Sequence, residues 1–185
     1  MARRTALISV WDKSGLVELA AALDRHGYRI LSTSRTAQAI RESGVGVVDI
    51  AEYTGSPEIL GGRVKTLHPK IAGGILTIRQ DPSIEPIDIV VCNLYPFEEG
   101  LKRRAGRDEM IELIDIGGVT LLRAAAKNHA YVTVVPGNEH YARVMAELNR
   151  AGEVGSELRL ALAAEAFAIT GRYDAAVSSY LGGLR

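Results

Sequence analysis

Thr5-Ala6-Leu7-Ile8-Ser9-Val10, followed by Trp11-Asp12-Lys13-Ser14 and then by Leu16, Leu19, Ala20 and Leu23, decides the fold class of this 185-residue chain. The first run is nearly all apolar, as a strand covered on both faces must be. The four residues after the loop recur at i, i+3, i+4 and i+7, the stripe of an amphipathic helix. Ser14 is placed to cap that helix and Gly27 to follow its end. The alternation then repeats: residues 28–31 read as a strand, 36–41 as a short helix and 45–50 as a third strand. Strand, helix, strand, helix, strand with short connections specifies a parallel sheet with right-handed crossovers.

Downstream, Ile87-Asp88-Ile89-Val90-Val91-Cys92 is the strongest strand pattern, and Asn93-Leu94-Tyr95-Pro96 stops it with a proline. Residues 108–113 read as a helix, broken by Ile114-Asp115-Ile116-Gly117-Gly118. Residues 119–128 resume as an alanine-rich helix, 131–135 as a strand, 139–150 as a helix. Residues 156–181 read as one long helix that Gly171 can kink. Ile71-Ala72-Gly73-Gly74-Ile75-Leu76 fits either a glycine-weakened strand or a turn into a helix. Residues 51–69 lack periodicity and form a long connection, a length that is usually functional or disordered; Tyr53, Ile59 and Leu60 favour order. No repeat or linker divides the chain, and its length suits one domain of roughly 100–200 residues. The fold class is α/β with a mostly parallel sheet.

Composition narrows the function. Hydrophobic residues make up 47% of the chain, enough for a sizeable core, and 22 basic residues balance 22 acidic ones. A neutral balance argues against a general grip on nucleic acid or an acidic membrane, so an anion must be bound by local geometry. One cysteine, Cys92, excludes an internal disulfide framework and suits a reducing compartment. Asp88 and Glu165 interrupt the best apolar runs below the ~18 residues of a membrane span. Met1-Ala2-Arg3-Arg4 shows no signal-peptide pattern. A cytoplasmic protein is expected. Zinc-ligand spacing, a phosphate-binding Gly-Lys-Ser/Thr loop and a Gly-x-Ser-x-Gly elbow are all missing from the sequence.

In an open parallel sheet ligands bind outside the carboxyl ends of the strands. That rule gathers Trp11, Asp12 and Lys13 after the first strand and Ser32-Thr33-Ser34-Arg35-Thr36 after the second. Arg63, Lys65, Thr66 and His68 lie on the long connection Gly61-Gly62-Arg63-Val64-Lys65-Thr66-Leu67-His68-Pro69. Cys92, Asn93 and Tyr95 follow the strongest strand. The hydroxyl-rich run can cradle a phosphate at a helix N-terminus or be an ordinary helix cap. Lys127 can be a helix-end cation, Asp115 a turn residue and Tyr95 a core residue. Cys92 reads as a small buried hydrophobe, and His26 and His140 as surface residues. Together these residues describe a cationic, hydroxyl-rich site suited to a small phosphorylated anion, with the reaction left open.

Four blocks occur here in order: Gly62-Arg63-Val64-Lys65-Thr66-Leu67-His68-Pro69, Asn93-Leu94-Tyr95-Pro96-Phe97, Ile114-Asp115-Ile116-Gly117-Gly118 and Ala124-Ala125-Ala126-Lys127-Asn128-His129. They closely resemble the inosine monophosphate cyclohydrolase domain of the bifunctional purine-biosynthesis enzyme. The resemblance implies a three-layer α/β/α sandwich like that of methylglyoxal synthase and a cyclohydrolase that uses no cofactor and no metal. It implies 5-formamidoimidazole-4-carboxamide ribotide as substrate, a homodimer, and a separate formyltransferase supplying that substrate. It assigns Lys65 to the developing oxyanion, Lys127 to proton donation and acceptance, and Tyr95 and Asp115 to proton transfer and orientation. Base and ribose contacts are expected from Arg63, Val64, Thr66, Cys92, Asn93, Ile116 and Gly117. Phosphate contacts are expected from Trp11, Asp12, Lys13, Thr33, Ser34, Arg35 and Thr36.

The chain departs from the family pattern at Ser34 and Arg35, which stand where glycines let backbone approach a phosphate, and at Ala72, which stands where a histidine is usual. Arg35 is expected to turn inward and grip phosphate. Two other readings share the resemblance: an enzyme closing a ring on a related ribotide, and a non-catalytic nucleotide-sensing module. A sensor needs the phosphate loop but has no use for Lys65, Tyr95, Asp115 and Lys127 together.

Overall fold

In the computed structural model, which describes residues 4–184, β1 (Thr5–Ser9) runs through the middle of a five-stranded sheet. Met1-Ala2-Arg3, read above for a signal pattern, lie outside the described residues, as does Arg185. The other strands are β2 (Arg29–Ser32), β3 (Val48–Asp49), β4 (Ile89–Cys92) and β5 (Thr133–Val135), in the order β3-β2-β1-β4-β5. All four ladders are parallel, and Leu7 stands opposite Leu31 on one side and Val90 on the other. Every residue of β4 and the first four of β1 are buried, as a sheet covered on both faces requires.

Helices α1 (Leu16–Arg25), α2 (Ser34–Glu42) and α3 (Ile50–Thr54) accompany the first three strands. α4 (Pro69–Leu76), α5 (Phe97–Lys102), α6 (Arg107–Glu112) and α7 (Gly117–Lys127) follow the long connection and β4. α8 (Tyr141–Ala151) and α9 (Ser156–Gly182) close the chain. α1 packs against α2 and α8, whereas α7 packs against α4 and α9. Because the strand order reverses at β1, right-handed crossovers put these two groups on opposite faces. The result is the expected α/β sandwich. Among the described residues no helix is long and apolar enough to cross a membrane.

Several local readings are corrected. The third strand keeps only Val48 and Asp49, because the Asp49 side chain accepts from Ala51 N and starts α3 at once. α1 begins after Gly15 without a side-chain cap, since the Ser14 hydroxyl donates to Asp12 instead. Residues 71–76 are helical: Pro69 begins α4 and His68 Nδ1 accepts from Lys70 N, so His68 is a cap and Ala72 sits exposed on the helix. α9 runs through Gly171 as one helix. His140 is buried rather than on the surface, held 3.2 Å from both Glu139 and Glu165. Beside the main core, Phe97, Met110, Leu113 and Tyr173 form a second one under α5, α6 and α9.

Candidate active site

The chain leaves β1 toward β2 on one side of the sheet and later returns to pair β4 on the other. Ligand crevices in such sheets open at this reversal. Asn93, just past β4, stitches the two loops together: its Oδ1 accepts from Trp11 N and Asp12 N at 2.6 and 3.1 Å, and its Nδ2 donates to Asp12 O at 2.9 Å. Behind this stitch lies a cavity of about 460 Å³, within the roughly 300–1,000 Å³ of small-molecule sites.

Part of the cavity wall is cationic. Lys13, Thr33, Ser34, Arg35 and Thr36 line it where α2 opens, so the helix's unpaired N–H groups and positive dipole end add to two cations. The Thr36 hydroxyl donates to Val10 O, tying α2 to the end of β1. Partial burial, together with the Arg35 charge, lowers the pKa of Lys13. The Arg35 guanidinium lies 5.6 Å from the Trp11 ring centre, and Trp11 meets Tyr95 edge-on at 5.2 Å. The left-handed backbone angle falls on Ser34, at φ 28°, not on Arg35. The cost of replacing a glycine is therefore borne at Ser34, and Arg35 sits at ordinary backbone angles.

The long connection folds back as a short loop, closed by an antiparallel bridge between Ile59 and Val64. Lys65 emerges beside it, with Nζ 3.2 Å from Ser34 Oγ and 3.4 Å from Glu58 Oε2. Glu58 also accepts from the Ser34 hydroxyl, so a carboxylate, a hydroxyl and an ammonium close a ring at the cleft wall. Gly62 is at φ 89°, and a Cβ there would lie 2.8 Å from Lys65 Cε; only glycine serves this turn. Arg63 lines the cavity mouth, where it pairs with Glu112.

The same cavity is also lined by Asp115, Tyr95, Cys92, Ile116 and Gly117. Asp115 Oδ1 accepts from Gly118 N at 2.7 Å and Oδ2 from Tyr95 N at 3.3 Å. Burial raises the pKa of its carboxyl in spite of those two bonds. Burial, reinforced by the Asp115 charge, raises the Tyr95 phenol as well. Cys92 is fully enclosed, and burial pushes its thiol well up. A Cβ on Gly118 would meet Asp115 Oδ2 at 2.6 Å and Leu94 at 2.9 Å, which is why the second residue of α7 is a glycine. The cleft therefore brings the cations Lys13 and Arg35 at the start of α2 together with a half-buried carboxyl, a phenol and the Lys65 ammonium.

Three expected site residues lie outside this cavity. Asp12 turns to Ser14 and Asn138, whose hydrogen bonds lower its pKa, and lines a neighbouring hollow. Val64 is occupied by its bridge to Ile59. Lys127 is exposed at the far end of α7. Ten residues of helix carry it about 15 Å from the glycines at the cleft, at 1.5 Å per residue. Sequence reading missed Glu58 and Glu112. Glu58 carried a signal: a carboxylate seven residues before Lys65, with Gly61-Gly62 between them, is how a tight loop brings opposite charges together.

Comparison with known proteins accords with this geometry. Residues 15–120 match the family model described as MGS-like domain. The chain belongs to the MGS-like domain family. After that stretch, residues 125–184 match the model described as AICARFT/IMPCHase bienzyme. The chain is 50% identical over 96% of its length to the bifunctional purine biosynthesis protein PurH of Persephonella marina, and 51% identical over 96% to that of Thermosynechococcus vestitus. It spans 36% of the length of each of these curated relatives. A solved structure described as that of ForH superposes with a TM-score of 0.82 at 37% identity, over 97% of both chains.

Proposed function

We propose that this chain is an inosine monophosphate cyclohydrolase that closes the ring of 5-formamidoimidazole-4-carboxamide ribotide in purine biosynthesis. The observation that carries this is the convergence of Lys65, Tyr95 and Asp115 on one cleft that is also lined by Lys13, Arg35 and the start of α2. A sensor module would need only the second set. The phosphate is anchored at the α2 end, which orients the base toward Asp115. The carboxamide nitrogen attacks the formyl carbon, a C–N bond forms, and the formyl oxygen takes up negative charge. Lys65 donates to that oxygen as the charge develops. The Asp115 carboxylate takes the proton released by the attacking nitrogen, and the new alkoxide takes one from Lys65. As the C–O bond then breaks, the hydroxyl leaves as water with the proton held by the Tyr95–Asp115 pair. The former formamide nitrogen returns its proton to Lys65 and the ring C=N bond forms. Because both reacting groups belong to one substrate, holding them in attack geometry supplies much of the acceleration. A formyl-transfer reaction must precede this step. The deciding assay follows inosine monophosphate formation from the formylated ribotide; a folded protein giving no product overturns the proposal.

The geometry carries two predictions. Arg35→Ala is expected to weaken inosine monophosphate binding by roughly tenfold to a hundredfold, the scale of lost charge-assisted bonds, and to leave inosine binding almost unchanged. Calorimetric titration of both ligands measures this. Equal losses on the two, or tighter nucleotide binding by Arg35→Gly, would remove Arg35 from the phosphate end. Lys127→Ala is expected to keep its rate within roughly twofold to threefold, the scale of a surface substitution, because α7 holds that lysine away from the cleft. A large fall in turnover would mean that Lys127 acts on a cleft it does not reach within one chain.

A further inference from the structure

We infer that Tyr173 is a positioning residue for Asp115: from α9, its hydroxyl holds the turn between α6 and α7 and so sets where the Asp115 carboxylate stands in the cleft. This rests on the cyclohydrolase reading only for its kinetic consequence. Tyr173 Oη donates to Leu113 O at 2.5 Å and accepts from Asp115 N at 2.8 Å. One oxygen thereby closes the turn, two residues apart, and leaves neither backbone group orphaned in a buried place. The Asp115 side chain is held by Gly118 N and Tyr95 N, so its remaining freedom is that of its backbone, which Tyr173 removes.

The tyrosine ring has a second effect. It is buried against Met110 and Leu113 and meets Phe97 edge-on at 5.9 Å. Phe97 follows Tyr95 by two residues at the start of α5. One side chain thus braces both segments that bring proton-handling groups to the cleft. It arrives from a helix 58 residues further along the chain than Asp115.

The test is Tyr173→Phe, which keeps the ring and its packing and removes only the oxygen. Misplacement of a reacting group by about 1 Å costs up to 10²-fold in rate. The variant is expected to lose roughly tenfold to a hundredfold in kcat, with KM changed far less. Burial is the largest influence on the Asp115 carboxyl and raises its pKa. A loosened turn admits water, so that pKa falls, and the acid limb of the kcat profile moves to lower pH. Val144→Ala, in the core under α8, serves as a control of general destabilisation. An unchanged kcat and acid limb in Tyr173→Phe, or an equal rate loss and shift in Val144→Ala, overturns the inference. Carbon-13 NMR titration of the Asp115 carboxyl in wild type and Tyr173→Phe decides without turnover. A lowered pKa in the variant supports the positioning role even if wild type makes no inosine monophosphate, and an unchanged pKa sinks it even if wild type is fully active.

Discussion

Lys65→Ala is expected to slow ring closure by about 10²–10³-fold, the usual cost of removing one donor aimed at a developing oxyanion, while weakening product binding much less. The asymmetry follows from where the charges sit. In the proposed mechanism, ground-state affinity is carried at the start of α2 by Lys13 and Arg35, which line the cavity and which the substitution leaves in place. The ammonium of Lys65 is instead poised on the wall between Ser34 and Glu58, where only an oxygen that gains charge during reaction calls on it fully. Lys65→Arg is not expected to restore the rate. The larger planar group would press on the Gly62 turn, where even a Cβ would come within 2.8 Å of the lysine stem. Single-turnover rates set beside product dissociation constants provide the check. Equal losses in rate and in product affinity would make Lys65 an ordinary binding cation.

The largest effect on stability is expected from Phe97→Ala. Phe97 is 1% exposed and is the keystone of the second core, with Tyr173 and Tyr180 edge-on at 5.9 and 5.8 Å. Truncating a buried phenylalanine costs about 3–5 kcal/mol. At about 2–4 °C per kcal/mol for a chain of this size, the melting temperature should fall by roughly 6–20 °C. Activity should fall further than the folded fraction does, because the residues that lean on Phe97 also hold Tyr95 and Asp115. Scanning calorimetry combined with rates taken well below the transition separates the two losses. A shift of only a degree or two would show that α5, α6 and α9 are held together by something other than this cluster.

The alternation of apolar runs and amphipathic stripes was enough to place β1, α1, β2, α2 and β4, since strand and helix periodicities are local properties of the chain. The end of β3 was not legible, because Asp49, the fifth residue of the run 45–50, serves as the cap of α3. The helix α4 was ambiguous for a related reason. Ile71 to Leu76 is too short for its period to show, and its start is set by a proline and a histidine cap. The carboxyl-end rule collected Lys13, Arg35, Lys65, Asn93 and Tyr95 before any geometry was known, because topology alone brings those loops to one edge.

What lay beyond local pattern was pairing across the chain. Lys127 and Asp115 sit in neighbouring blocks of sequence, yet a straight helix separates them by its whole length. Glu58 and Ser34, 24 residues apart, share a hydrogen bond. Tyr173 reads as one more core residue of a long helix until its hydroxyl is found between Leu113 and Asp115. The fold class and the chemical character of the cleft follow from residue type and spacing, which are encoded position by position. Which groups touch depends on how whole elements dock, and burial is the force that docks them; it is indifferent to direction. The directional bonds of Tyr173, Asn93 and Glu58 then select one arrangement, and they exist only once the chain has folded.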